Sequence, residues 1–230
     1  MHKPKESEHR VMPISTEQME LWKGDFGKAY TDRNSYLLEE LEALYEKNYG
    51  ITRTGMNRRF LDGISRSARV LEVGCNIGTQ LMCLQRMGFR NLYGLELQEY
   101  AIRKSQARAK GIEMIQGSGF NIPARDSSFD LVFTSGVLIH ISPSELPIVL
   151  KEIHRCTRNF IWGFEYYSDV TTEVDYRGNR DLLWKGDFGK LYFSALHDLT
   201  VVREERFKYL DSDNVDVMFL LKKNKRDLCV

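Results

Sequence analysis

The chain lacks what would tie it to a membrane, an oxidising compartment or a nucleic acid. No apolar run approaches the roughly 20 residues of a membrane span, and the opening stretch MHKPKESEHR has no apolar signal core. Only four cysteines occur in 230 residues (Cys75, Cys83, Cys156 and Cys229), and no two form a Cys-x-x-Cys pair. Thiols so scattered imply neither a disulfide framework nor a metal site, and read as reduced residues of a cytoplasmic protein. An excess of one charge is missing too. Lys and Arg number 33 against 32 Asp and Glu, so there is no overall basic field to hold nucleic acid. What remains is ordinary globular material, enough for one domain with an extension or a lid.

Residues 1–14 are polar and read as a flexible tail. Residues 15–66 have a helical pattern: Leu37, Leu38, Leu41, Leu44 and Tyr45 share one helix face, and Gly50 ends it. From residue 67 the texture alternates. Short apolar runs at Arg69–Val73, Asn91–Glu96, Glu113–Gln116, Asp130–Thr134 and Phe160–Phe164 predict strands, with helical stretches between most of them. Such alternation gives a parallel sheet with helices on both faces. Ser142-Pro-Ser-Glu145 predicts a capped helix start with Pro143 at its first position. The end differs: runs at Thr200–Leu210 and Val215–Lys222, joined by Asp-Ser-Asp-Asn214, predict an antiparallel hairpin. Residues 166–198 have no long apolar run and read as a lid inserted in the 67–230 domain. One decapeptide recurs: Leu21-Trp-Lys-Gly-Asp-Phe-Gly-Lys-Ala-Tyr30 matches Leu183-Trp-Lys-Gly-Asp-Phe-Gly-Lys-Leu-Tyr192 at nine of ten positions. If both copies cover a ligand, Trp22 and Trp184 should face one cleft.

The sharpest chemical signal is Val70-Leu-Glu-Val-Gly-Cys-Asn-Ile-Gly78, a strand running into a glycine turn that opens a helix. Gly74 would let a ligand lie against the backbone, and Gly78 would allow close helix packing. Glu96, 18 residues after Gly78 at the end of the next strand, can accept hydrogen bonds from both hydroxyls of a ribose. A dinucleotide turn reads Gly-x-Gly-x-x-Gly. Here Glu72 precedes the turn, where it would repel a pyrophosphate and suit a cationic ligand.

These motifs resemble the class I S-adenosylmethionine-dependent methyltransferases. Leu71–Gly78 is similar to their first motif, with Asn76 in place of the usual middle glycine. Leu95-Glu96 resembles the ribose-binding acid. Gly117-Ser-Gly-Phe-Asn-Ile-Pro123 resembles the adenine-side loop, with Ser118 where an Asp is common. Ser127–Ile141 resembles the fourth strand and the loop after it. The resemblance implies a Rossmann-like α/β fold: a seven-stranded, mostly parallel sheet with a C-terminal antiparallel hairpin, helices on both faces and an N-terminal helical cover. It implies S-adenosyl-L-methionine as cofactor, no metal, and Glu72, Gly74, Cys75, Asn76, Gly78, Glu96, Leu97, Ser118, Gly119, Ser135, Tyr30 and Arg33 around it. Phe26–Asn34, Gly136–Ile141 and Asp181–Phe188 further resemble the methylases associated with pseudaminic acid biosynthesis. That implies a small-molecule acceptor, an amine or hydroxyl of a (nucleotide-)sugar, with no nucleic-acid or membrane partner, in a monomer or homodimer.

His140, between the fourth strand and the next helix, is the candidate base. Tyr30 and Glu165 are further catalytic candidates. Trp22, Tyr166, Tyr167, Arg177, Arg180 and Trp184 are candidates for contacting the acceptor. Arg177 and Arg180 alone would support a small-acid O-methyltransferase. A non-catalytic cofactor-binding subunit is the alternative from another class.

Overall fold

The computed structural model describes residues 15–224; the expected tail at 1–14 and Cys229 lie outside them. Four helices come first: α1 (Glu17–Lys23), α2 (Asp25–Arg33), α3 (Leu38–Tyr49) and α4 (Arg53–Leu61). Thr16 caps α1 and Thr52 caps α4 by accepting the backbone N–H groups of Met19 and Gly55. Gly50 ends α3 at φ +70°, as its position predicted.

The alternating region follows as β1 (Arg69–Val73), α5 (Thr79–Arg86), β2 (Asn91–Glu96), α6 (Glu99–Arg108), β3 (Glu113–Gln116), β4 (Phe129–Ser135), α7 (Leu146–Cys156) and β5 (Thr157–Tyr166). Then come β6 (Thr172–Glu173), β7 (Trp184–Lys185), α8 (Phe188–Ala195), β8 (Leu199–Lys208) and β9 (Val215–Lys223). The main sheet runs β3-β2-β1-β4-β5-β9-β8. Strands β1 to β5 pair in parallel, and β9 pairs antiparallel with both β5 and β8. This is the predicted architecture, including the closing hairpin.

Period-two alternation divides the core. Val132 of β4 packs with Leu71, Ile161, Phe219 and the apolar faces of α7 and α8. Leu131 and Phe133 pack on the other side with Val70, Trp162, Leu220, α4 and α5. Each such large side chain contributes about 1.5–3 kcal/mol of burial.

Two local expectations need correction, and one segment gains detail. The helix after β4 starts at Leu146, not at Pro143. Ser142–Glu145 is a turn whose Ser142 carbonyl accepts the N–H groups of Glu145 and Leu146, and it is Pro147 that occupies the first helical turn. Leu37 is not on the buried face: it precedes α3 and is 57% exposed. The segment at 166–198 has structure of its own, a two-stranded β6–β7 sheet followed by α8.

Candidate active site

The carboxyl ends of β1, β2, β4 and β5 share one edge of the sheet. Their loops, covered by α1–α3 and the β6–β7 segment, enclose a cavity of about 480 Å3. Its floor begins at the β1–α5 turn. Gly74 sits at φ +70°, and a Cβ there would lie 2.8 Å from the Val137 side chain. The glycine therefore serves the left-handed turn and the loop after β4, and it also lines the cavity. Gly78, at φ +78°, is also a conformational requirement. A Cβ on it would make only ordinary contact with Ala109 at 3.5 Å, so close helix packing is not its reason, and it does not line the cavity. Asn76 takes φ +50°, a region that asparagine tolerates.

Two carboxyl groups mark the β1–β2 end. Glu96 accepts the backbone N–H groups of Asn76 at 2.7 Å and Gln98 at 2.8 Å, one on each oxygen. Burial raises its pKa, and these bonds oppose the rise. Each oxygen keeps a lone pair, enough for a vicinal diol. Glu72 is 2% exposed, and its Oε2 has no hydrogen-bond partner among the described residues. Burial pushes this carboxyl well above the usual range, with the Arg53 charge opposing. A buried acceptor left open at a cavity wall is what a cationic amino group would satisfy. Cys75, Leu97, Ser118, Gly119 and Ser135 also line the space. The Ser118 hydroxyl accepts the Phe120 N–H of its own loop at 3.2 Å.

His140 is fixed from two sides. Its Nδ1 lies 2.7 Å from the carbonyl of Leu182. A carbonyl only accepts, so Nδ1 carries the proton and Nε2 presents a lone pair. The ring packs against Trp22 at 4.7 Å and Tyr176 at 5.3 Å, with Tyr30 at 6.4 Å. Burial lowers its pKa to about 4, and the Leu182 bond opposes the drop. The imidazole is therefore neutral at ordinary pH. Burial pushes the Tyr30 hydroxyl far above the phenol range, so it stays protonated.

The cover is held by named bonds. Gln98 donates its side-chain amide to the carbonyls of Trp22 at 2.8 Å and Gly24 at 3.2 Å. Thr31 approaches Asn76 Oδ1 at 3.1 Å and Gln98 Oε1 at 3.2 Å. Gly27 permits this fit: a Cβ would sit 1.9 Å from the Trp22 carbonyl oxygen and 2.5 Å from Gln98 Nε2. Gln18 of α1 donates to the Asp181 carbonyl and accepts the Ser142 N–H, joining cover, lid and the β4–α7 loop.

Several predicted residues fall elsewhere. Glu165 is 1% exposed and does not line the cavity. It accepts the N–H groups of Val137 and Ile139, so it fixes the loop that carries His140 rather than touching a ligand. Burial raises its pKa to about 7. Arg33 is exposed and faces a separate shallow groove with Lys47 and Glu40. Arg177 and Arg180 are exposed on the lid, away from the cavity. Tyr167 turns outward to Asp169 and Arg206. Trp184 is buried in the protein and absent from the cavity wall, so the two tryptophans do not share a cleft. Trp22, Tyr30, His140 and Tyr166 do line it.

The cavity also has walls that the sequence did not disclose. Tyr45, Tyr49, Tyr209 and Asp216 form its far end. Behind them Arg53 is fully buried, with its guanidinium 4.4 Å from the Phe164 ring centre and hydrogen bonds to Tyr45 Oη at 3.2 Å and Ser135 Oγ at 3.3 Å. The tyrosines of α3 share the apolar helical period and read as core. The only trace of Asp216 is an acid inside the otherwise apolar run Val215–Leu221.

Comparison with known proteins agrees with this architecture. Residues 71–159 match the family Methyltransf_11, described as a methyltransferase domain. A curated relative from Haemophilus influenzae, an uncharacterized protein, is 32% identical over 96 residues, 39% of this chain and 36% of its own. A sterol 24-C-methyltransferase of Gibberella zeae is 26% identical over 164 residues, 66% of this chain and 43% of its own. The chain thus spans well under two thirds of either relative. Among solved structures, a 1,6-didemethyltoxoflavin-N1-methyltransferase of Burkholderia thailandensis, with 1,6-didemethyltoxoflavin and S-adenosylhomocysteine bound, superposes with TM-score 0.68. It is 17% identical, with 93% of each chain covered. The chain has the Rossmann-like class I methyltransferase fold, and its residues 71–159 match a methyltransferase domain.

Proposed function

We propose that this chain transfers a methyl group from S-adenosylmethionine to an amine or hydroxyl of a small molecule. The observation that carries the reading is the pairing, in one cavity, of an oriented carboxylate at Glu96 with an open buried carboxyl at Glu72. Glu96 would hold the ribose hydroxyls and Glu72 the amino group of the methionine part. The cofactor supplies a methyl group on a sulfonium, which a positioned nucleophile takes by in-line displacement. His140 Nε2 accepts the proton that the acceptor loses, while Trp22, Tyr30 and Tyr176 keep water from the reacting atoms.

The narrower resemblance supports a (nucleotide-)sugar of surface-glycan chemistry as the acceptor. The small-acid alternative has lost its support, since Arg177 and Arg180 stand outside the cavity. The cytoplasmic setting and a monomeric or homodimeric state belong to the same proposal. Calorimetry tests its first step: S-adenosylmethionine or S-adenosylhomocysteine should bind at one per chain. Glu96→Ala should weaken binding by about 1–3 kcal/mol through loss of charge-assisted bonds. No heat with the wild type, or tighter binding of NAD, overturns the reading.

A further inference from the structure

The end of the cavity away from Glu72 and Glu96 is built unlike the rest. β9 runs antiparallel to its neighbours, so its first residues lie at the same sheet edge as the ends of β4 and β5. Asp216 pairs there with Tyr166. It is 1% exposed. Its Oδ2 accepts the hydroxyls of Tyr49 and, at 3.2 Å, Tyr209. Its Oδ1 accepts nothing from the described residues. Rings surround it: Tyr49 and Tyr209 are 4.6 Å apart by centroid, Tyr45 and Tyr49 5.4 Å, and Tyr49 and Phe164 6.2 Å.

Charge decides what fits. Glu72, Glu96 and Asp216 line the cavity, and among the described residues no Lys or Arg does. Arg53 lies behind the wall, and it and Lys185 act on Asp216 through space without an ion pair to it among the described residues. An anion entering here would meet the Asp216 carboxylate. A neutral hydroxyl would satisfy Oδ1 and leave the charge unanswered. A cationic nitrogen answers both, and aromatic rings favour it again. The site is also separate from the ribose end. Three strand spacings lie between β1 and β9, about 14 Å.

We infer that Asp216, with Tyr45, Tyr49, Tyr209 and Phe164, forms a subsite for a positively charged nitrogen on the methyl acceptor, so that the acceptor is an amine-bearing molecule. The inference rests on the methyltransferase reading for the word acceptor; the subsite itself stands on the cavity. Burial raises the Asp216 pKa to about 6, against donation by Tyr49 and Tyr209 and the field of Arg53. The carboxylate therefore exists above that pH and lacks a counter-charge in contact with it.

The test uses the full chain loaded with S-adenosylhomocysteine, so that the cofactor end is filled. Cyclohexylamine and cyclohexanol, equal in shape, are titrated by ligand-observed NMR at pH 7.5. The amine should bind at least about tenfold more tightly than the alcohol. That preference should vanish in Asp216→Asn with the nucleoside affinity unchanged. It should also fade in the wild type as pH falls through 6, a readout that holds even if the variant does not fold. Equal binding of amine and alcohol, binding of neither, or a preference that survives Asp216→Asn overturns the subsite. Should S-adenosylhomocysteine fail to bind while the amine preference persists, the cofactor reading falls and the subsite stands. Should the nucleoside bind without any amine preference, the subsite falls and the cofactor reading stands.

Discussion

The two copies of the decapeptide do different things with the same letters. In both, Gly-Asp-Phe-Gly opens a helix: α2 from Asp25 and α8 from Phe188. The residues just before the glycine part company. Trp22 closes helix α1 and lines the cavity, whereas Trp184 lies in strand β7 and is buried. Local sequence thus sets the helix start, and tertiary surroundings decide whether the preceding aromatic is wall or core. His140 meets the first copy and the residue just before the second. The first packs Trp22 on its ring, and Leu182, the residue before the second, binds its Nδ1.

The largest expected effect lies at that meeting point. His140→Ala should lower methyl transfer to the acceptor by about 10²–10⁴ with cofactor affinity nearly unchanged, as labelled-methyl assays and calorimetry would read. The structure also moves the expected pH limb. A free histidine would protonate near 6.5, but burial lowers this one to about 4, so as the proposed base it would stay neutral down to that pH. Wild-type turnover in the variant would remove His140 from the chemistry.

The tryptophans separate next. Trp184→Ala should cost about 3–5 kcal/mol in denaturant unfolding, as for a buried aromatic. Trp22→Ala should cost less. It should, however, let water reach the imidazole, so that the His140 titration followed by NMR rises from about 4 toward the ordinary value. A rise with Trp184→Ala instead would reverse the roles assigned to the copies.

The glycines give a smaller contrast. Gly27→Ala meets backbone at 1.9 Å and should destabilise by about 1–3 kcal/mol, while lowering nucleoside affinity through the displaced cover. Gly189→Ala meets a flexible Glu204 oxygen at 3.3 Å and should stay within about 0.5 kcal/mol. Thermal unfolding of the pair measures it.

Smallest is the aspartate pair. Asp187 accepts the Lys190 N–H as a helix cap, and its replacement by Ala should cost about 1 kcal/mol. Asp25 is exposed and pairs with Lys28 alone among the described residues, so Asp25→Ala should change stability by less than about 0.5 kcal/mol. Equal losses would mean that the two helix starts are held alike.

Much of the sheet could be read from the sequence because its strands are short apolar runs with glycine turns, a pattern set locally. Glu72, Glu96 and His140 could be read because each sits at or just beyond a strand end. Asp216, Tyr45, Tyr49 and Tyr209 could not. They come from two distant segments, and only the packing of α3 against the closing hairpin brings them together. Arg53 is hidden for the same reason, since nothing local distinguishes a buried guanidinium from a solvated one. Glu165 misleads because a strand-end acid looks alike whether it faces a ligand or, as here, the N–H groups of a neighbouring loop.

Gln98 is one of several side chains that latch the cover over the cavity. Its backbone N–H donates to the carboxyl group of Glu96, and its side chain holds the carbonyls of Trp22 and Gly24. That grip stands two residues from Glu96, the proposed anchor of the nucleoside. Under the proposed function, release of the cofactor and loosening of this grip would be coupled, so the pace of the cycle would depend in part on how often that amide lets go.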